Sequence, residues 1–424
     1  MKISTTQRML LFIFTGLLST FSQASSLKTI LQNNLSSAPE IKEAIANIEA
    51  AQNRVEQSKS QHYPIISATG SQVLSEYHRY QNDYQSRRLT PGLQMEVNLY
   101  SFGAIEKDIE RSKKETEYYQ HTYSATREEL AYIISQLYLT ALNIKESISV
   151  LEKSMKRHQD IIKNLKIIFE YDEGRESELV QAESRMLMVQ QEINSYRQKL
   201  TSTLNTLSKY TNQKVTEKDL ANPFDKLTED RLYQQYTMQN AQENPLYKAN
   251  MADYEEKTLS AEVEKRKQLP KLNLIGSATK EDRQIGMQLS WDIYNRSSSY
   301  GTREKASQIS ASKARLQRVI RDIEDGANIA KINIQESNLQ LNALKKQMVS
   351  SAKVVEFYRL QFDIARRSLL DVLNAEKDLS SVELAYSSTS HNLRMSILDY
   401  LYSQGMISTW SNIKDQQNML PNLK

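Results

Sequence analysis

The chain has no cysteine, which excludes a disulfide framework, a thiolate zinc cluster, a thiol nucleophile and a lipid-bearing N-terminal cysteine. Glycine (10) and proline (7) are scarce among 424 residues, so little of the chain can be loop. The five histidines, at 62, 78, 121, 158 and 391, are scattered and none falls in an HExxH arrangement. The net charge of +4 comes with no block of like charge, so no nucleic-acid arm is expected. No nucleophile–base constellation, metal cluster or phosphate loop is visible, which makes an enzyme the least supported class and gives no reason to expect a cofactor or metal. No apolar run reaches the ~20 residues that a membrane-spanning helix needs.

What is present is charge (25%) and apolar residues (39%) in a mix suited to long, solvent-facing helices. The N-terminus reads as a targeting segment. Lys2 and Arg8 are basic, Met9 to Leu18 is apolar, and Ser22-Gln23-Ala24 places small residues where a signal peptidase reads, so cleavage is expected after Ala24. A periplasmic, secreted or outer-membrane β-barrel protein remains.

Beyond that segment the sequence repeats itself. Leu130, Ile134, Leu137, Ala141, Ile144, Ile148, Leu151 and Met155 step by 4 and 3, with His158 filling the one gap before Ile162, Leu165 and Phe169. Adding 193 gives Ile323, Ala327, Ala330, Ile334, Ser337, Leu341, Leu344 and Met348, then Val355, Tyr358 and Phe362. A 3-4 stripe of this length is a coiled-coil seam, and finding it twice in register implies a duplicated unit. Two further prolines punctuate each unit. Pro39 and Pro64 bracket one helical stretch, Pro245 and Pro270 another, both shifted by 206.

After each second proline the period falls to two. Leu89, Pro91, Leu93, Met95, Val97 and Leu99 alternate with Arg88, Thr90, Gly92, Gln94, Glu96 and Asn98; Ile285, Met287, Leu289, Trp291 and Ile293 alternate with Gln284, Gly286, Gln288, Ser290 and Asp292. These are strands with one apolar and one polar face. Strands are predicted over 65–77, 88–100, 271–279 and 284–294, and long helices over 104–171, 176–209, 298–364 and 369–403. The units span 25–210 and 230–408, joined by a linker at 211–229 and followed by a tail at 409–424. The first carries twelve extra residues between its strands, in the polar segment from Tyr77 to Arg88.

Four amphipathic strands are too few for a membrane barrel, which needs about eight, and unpaired backbone is not tolerated in lipid. Either the sheet closes by oligomerisation, with Gln94, Glu96, Asn98, Gln288, Ser290 and Asp292 lining a wet lumen, or it packs on a soluble core. Paired helices about 100 Å long with the hairpins at one end fit the barrel better. The fold class is then a mixed membrane β-barrel and α-helical coiled-coil barrel, built from two helix–hairpin–two-long-helix repeats.

The residues in order resemble the TolC-like outer-membrane channels over nearly the whole chain. The resemblance is carried by Ala38-Pro39-Glu40, Tyr63-Pro64 and the strand-to-helix turn Leu99-Tyr100-Ser101-Phe102-Gly103. The second unit matches with Asn244-Pro245, Leu269-Pro270 and Trp291-Asp292-Ile293-Tyr294-Asn295, where Asn295 replaces a glycine region and suits a left-handed turn. The most specific run is Arg367-Ser368-Leu369-Leu370-Asp371-Val372-Leu373-Asn374-Ala375-Glu376, similar to the type I secretion branch.

The resemblance implies a homotrimer in the outer membrane of a Gram-negative cell, twelve strands in contact with lipid and twelve helices in the periplasm. Its partners would be a periplasmic adaptor and an inner-membrane ABC exporter or other pump. Asp371 matches one constriction ring and Asn374 replaces the acid of a second. Arg367 matches a latch residue, Glu178 stands where its acidic partner falls, and Phe362 replaces a tyrosine whose hydroxyl joins the latch. From the residues alone, Glu178 and Asp371 could simply favour a helix N-terminus, and Arg367 could be solvated. Protein secretion, drug or metal efflux, and a soluble periplasmic coiled coil are the functions to separate.

Overall fold

Both prolines near the chain's two unit starts sit at the first helical position, where a missing N–H costs nothing. The computed structural model describes residues 27–72, 89–171, 173–211, 214–280 and 282–413. The targeting segment at 1–24, the extra segment at 77–88 and the tail beyond 413 lie outside the described residues.

Along the chain run α1 (Leu27–Asn34), α2 (Pro39–Ser60), β1 (Ile65–Ser71), β2 (Thr90–Tyr100), α3 (Ala104–Phe169), α4 (Glu176–Tyr210) and α5 (Glu229–Tyr236). They are followed by α6 (Pro245–Arg266), β3 (Lys271–Thr279), β4 (Arg283–Ser290), α7 (Arg296–Asp363), α8 (Leu369–Ser403) and α9 (Ile407–Trp410). The order short helix, hairpin, very long helix, long helix occurs twice. α2 and α6 each have 22 residues, α4 and α8 each 35, and α3 and α7 have 66 and 68. At 1.5 Å per residue α3 is about 100 Å long.

The four strands form one antiparallel sheet in the order β1-β2-β3-β4, with β1 and β4 at its edges. Its register carries the two-residue alternation across all strands. Gln94 faces Ser67 and Ser277, and Asn98 faces Asn273, which faces Gln288. On the opposite surface Met95 lies between Ile66 and Gly276, Val97 beside Leu274, and Leu274 beside Met287. One face is therefore mainly polar, with Ile65 and Ile275 flanking Glu96, and the other mainly apolar. The apolar face has no cover from this chain: Leu93 is 57% exposed, Ile66 68% and Met287 74%.

The sheet departs from expectation at the end of its last strand. β4 stops at Ser290 rather than 294, because the chain turns off the sheet. Trp291 Nε1 donates to the Gln268 carbonyl (3.2 Å), and the Asn295 side chain accepts from the amides of Ser297 (3.0 Å) and Ser298 (3.3 Å). Asn295 is thus the N-cap of α7 in extended backbone (φ −142°), not a left-handed residue. In the first unit the turn does use left-handed backbone, at Phe102 (φ 52°) and Gly103 (φ 77°). A Cβ at Gly103 would collide with Arg266, whose Nη1 donates to the Phe102 carbonyl (3.0 Å).

α3 packs against α2 and α6 with its first half and against α4 and α8 with its second. The largest core lies at its waist, where α1, the linker, α5 and α9 wrap the helices. Tyr138, fully buried, donates to the Asp219 carbonyl (2.9 Å) and accepts from the Ala221 amide (2.8 Å). Trp410 stacks on Phe224 (5.0 Å). Glu128 accepts from the amides of Ile407 (2.8 Å) and Ser408 (3.1 Å). Burial raises its pKa despite these bonds.

α8 ends where α6 begins. Gly405 (φ 60°) closes α8: its amide bonds the Tyr402 carbonyl (2.8 Å) and the Met406 amide the Leu401 carbonyl (2.8 Å), the pattern of a left-handed helix terminus. Asn244 serves both helices. Its Oδ1 accepts from the Leu246 amide at the start of α6 (2.9 Å), and its Nδ2 donates to the Ser403 carbonyl at the end of α8 (2.9 Å).

Candidate gate and lumen

The polar face of the sheet carries a side-chain ladder. Asn98 Nδ2 donates to Asn273 Oδ1 (2.9 Å), and Asn273 Nδ2 donates to Glu96 Oε1 (2.8 Å). Gln94, Glu96, Asn98, Gln288 and Ser290 lie on this one face, as their register positions require. Asp292 lies past the end of β4, where it accepts from Asn295 Nδ2 (3.3 Å).

At the far end of the long helices, the tips of α3, α4, α7 and α8 close on a small apolar cluster. Its buried members are Ile161, Ile162, Leu165, Ala182, Phe362, Leu369, Val372 and Leu373. Phe362 is 7% exposed and contributes packing alone, having no hydroxyl to bond. Just past the end of α7, Ala365 is a non-glycine residue in left-handed backbone (φ 57°); its amide bonds the Phe362 carbonyl and the Arg366 amide the Gln361 carbonyl. α8 then starts with Ser368 as N-cap. Asp371 N donates to Ser368 Oγ (3.2 Å), and that hydroxyl donates to Asp371 Oδ2 (2.8 Å). The Asp371 carboxylate therefore belongs to a helix cap as well as to the half-exposed surface. Asn374 is exposed one turn on, and Asp378, four residues further, continues the same exposed stripe.

Within one protomer Arg367 and Glu178 do not meet. Arg367 lies over the Tyr358 ring (4.2 Å), donates through Nε to Gln361 Oε1 (3.2 Å) and comes within 3.9 Å of Asp371. Glu178 pairs with Arg175 at 3.4 Å, in its own tip. Each charge is satisfied locally, so the expected Arg367–Glu178 contact is not one this chain makes with itself.

A different ion cluster joins the two units. Glu376, 0% exposed, accepts from Arg157 Nε of α3 (2.7 Å) and from Arg359 Nη2 of α7 (2.5 Å). Arg157 Nη2 also reaches Glu383 Oε2 of α8 (2.9 Å), and Arg359 donates to the Arg157 carbonyl (3.0 Å). Burial alone would depress the Arg157 pKa; the hydrogen bond to Glu383 and the charges of Glu376 and Glu383 outweigh it and hold the guanidinium charged. Further along, Arg394 is bidentate on Glu146 (2.7 and 2.9 Å), again α8 to α3. The sequence signal was available: Glu376 occupies a core position on α8 between Val372 and Leu379, and a carboxylate there demands partners. Among the described residues no group of His, Cys, Asp and Glu could hold a metal ion, and no helix is long and apolar enough to cross a membrane.

The family model of outer membrane efflux proteins matches residues 30–213. No curated protein sequence matches the chain. Solved structures do match along nearly all of it. The Campylobacter jejuni CmeC outer membrane channel superposes with a TM-score of 0.77 at 16% identity, covering 92% of this chain and 90% of its own. The open state of the Neisseria gonorrhoeae MtrE outer membrane channel gives 0.74 at 14% identity, covering 89% and 88%. The outer membrane protein VceC of Vibrio cholerae gives 0.74 at 12%, covering 89% and 96%. The outer membrane efflux protein family thus matches over residues 30–213, and the described chain as a whole carries the fold of the outer-membrane channels on which it superposes.

Proposed function

We propose that three copies of this chain close a twelve-stranded barrel in the outer membrane of a Gram-negative cell and continue it as a twelve-helix periplasmic tunnel for export. The observation that carries the reading is the sheet: four strands with a bare apolar face, a polar face and two free edges. Lipid is the natural cover for the first, and copies of the same sheet for the edges. The helices need the same partners. Val180, Leu187 and Met188 on α4, and Ile329, Ile332, Leu339, Phe357 and Leu360 on α7, are all more than half exposed, apolar side chains that a neighbouring copy would cover.

In that assembly Gln94, Glu96, Asn98, Gln288 and Ser290 line the barrel lumen, and Asp371 and Asn374 line the constriction at the tunnel tip. Arg367 of one copy would meet Glu178 of the next, across the α7–α4 boundary. A periplasmic adaptor and an inner-membrane pump supply the cargo, so substrate choice does not reside in this chain. Efflux of small molecules is favoured by the family that matches residues 30–213. Secretion of a polypeptide through an ABC exporter is favoured by the run Arg367 to Glu376.

The test is extraction of the processed protein from outer membranes and mass measurement of its detergent complex. Three chains per particle are expected; a single chain, or a species released in plain buffer, overturns the proposal. A deletion strain then separates the cargoes, through drug or metal sensitivity in one case and loss of a secreted polypeptide in the other.

A further inference from the structure

The junction where α8 ends against α6 forms a partly open cavity of about 320 Å³, flanked by α3 and α7. Its walls are mostly apolar: Pro245 and Leu246 from α6, Ile323 from α7 and the Tyr402 ring from α8. At the ~30 Å³ that a water molecule occupies in the liquid, this volume has room for about ten or eleven non-hydrogen atoms. A cavity of this size, apolar with a few placed polar groups, has the make-up of a small-molecule site.

One polar group is placed with particular care. Asp399 lines the cavity, and Tyr132 donates its hydroxyl to Asp399 Oδ1 (2.8 Å). The Tyr132 ring in turn packs at a tilt against Tyr402 (centroids 4.6 Å apart), so the carboxylate is held beside an aromatic pair. Asp399 Oδ2 takes no hydrogen bond among the described residues. Glu128, a buried carboxylate that also lines the cavity, is committed to the amides of Ile407 and Ser408. No lysine, arginine or histidine is among the described residues lining the cavity, and Glu129 and Asp322 keep its charge negative. A carboxylate with a free oxygen beside a tyrosine face, over apolar walls, is the chemistry that recognises an organic ammonium ion.

We propose that this cavity binds a small organic cation with an apolar body, its charged head on Asp399 and Tyr402 and its body against Leu246, Pro245 and Ile323. The site is internal to one protomer and does not rest on the export reading, so either can fail alone.

The test uses the full-length protein purified in a nonionic detergent, with benzyltrimethylammonium as probe and benzylsulfonate as a control of similar size and opposite charge. Calorimetry is expected to show saturable binding of one cation per chain and no binding of the sulfonate. Asp399→Asn keeps an acceptor for Tyr132 and removes the charge; it should weaken binding at least tenfold. Gly326→Leu tests the cavity without touching the carboxylate. Gly326 lines the space, and a Cβ there meets nothing nearer than Ser403 at 3.6 Å, so a leucine side chain can fill the void. Binding should disappear in that variant. Absence of cation binding by the wild type, equal binding of the sulfonate, or undiminished binding by Gly326→Leu would each overturn the proposal, even where Asp399→Asn fails to fold.

Discussion

Replacing Glu376 by glutamine should be among the most damaging single changes near the tips of the long helices. The carboxylate is wholly buried and holds two guanidinium groups from different helices. Removing one partner of a buried ion pair costs about 3–5 kcal/mol, because the remaining charge is left uncompensated. Two features of this site place the value near the lower end. Arg157 keeps Glu383 at 2.9 Å, and the Arg157 and Arg359 side chains are 20% and 30% exposed, so water can reach both. A loss of about 3 kcal/mol per chain is therefore expected for Glu376→Gln. Arg359→Met leaves the Arg157–Glu376 pair intact and should cost less, about 1–2 kcal/mol. The double variant should fall short of the sum by about 1–2 kcal/mol, since both changes delete one shared contact. An internal control is the exposed pair Arg197–Glu152, with side chains 57% and 52% exposed, whose loss should be worth under about 1 kcal/mol. Denaturant midpoints of the detergent-solubilised protein measure all four. Because the cluster ties α3, α7 and α8 together just above the tip, Glu376→Gln should also raise single-channel conductance in a planar bilayer. A destabilisation no larger than that of the Arg197 control would mean that the cluster does not hold the helices, and the argument would collapse.

Other changes have smaller, equally definite outcomes. Ala365→Gly relieves a side chain held at φ 57° and should stabilise the chain by about 0.5–1 kcal/mol, read as a higher unfolding midpoint; a lower midpoint would show that the backbone there is not left-handed. Ser368→Ala deletes the α8 cap and should cost about 1 kcal/mol, whereas Asp371→Asn keeps an acceptor for the Ser368 hydroxyl while weakening cation preference and cation block; unchanged ion selectivity removes Asp371 from the constriction. Arg367→Ser should increase conductance if the inter-subunit contact with Glu178 restrains the tip, and equal conductance refutes that contact. Glu128 has a pKa raised by burial, so the folded state binds its proton more tightly than the unfolded chain does. Its stabilising contribution is complete below the unfolded-state value of about 4.5 and is lost as pH rises through the folded-state value. Glu128→Gln should flatten stability against pH in that window, and an unchanged slope between variant and wild type would contradict the assignment.

Local signals in the sequence translated well, for a physical reason. The 3-4 stripe of α3 and the two-residue alternation of β2 are properties of neighbours along the chain, and the prolines at 39 and 245 mark helix starts by their own stereochemistry. Pairing at a distance leaves no such local signal. Arg367 and Glu178 occupy equivalent tips, and within one protomer each has a nearer partner, Gln361 and Tyr358 for the first and Arg175 for the second. Glu376 was visible as a carboxylate within a motif, but Arg157 lies 219 residues away, and no periodicity announces such a contact. Asn295 was misjudged because asparagine serves both left-handed turns and N-caps; only the positions of Ser297 and Ser298 decide. Contacts between copies are encoded by no periodicity along one chain, and the proposed constriction and trimer consist of such contacts.

The doubly used Asn244 has a mechanical consequence. Through it the 35 residues of α8 and the 22 of α6 meet end to end, giving a strut of about 85 Å at 1.5 Å per residue. The covalent chain leaves this strut at Gly405 and enters it at Asn244, so no peptide bond runs through the joint. Torsion applied at Leu369 must cross it through one side-chain amide and the surrounding packing. The joint is thus a slip coupling, and its stiffness sets how much rotation of the lower segment reaches the strands above Arg266.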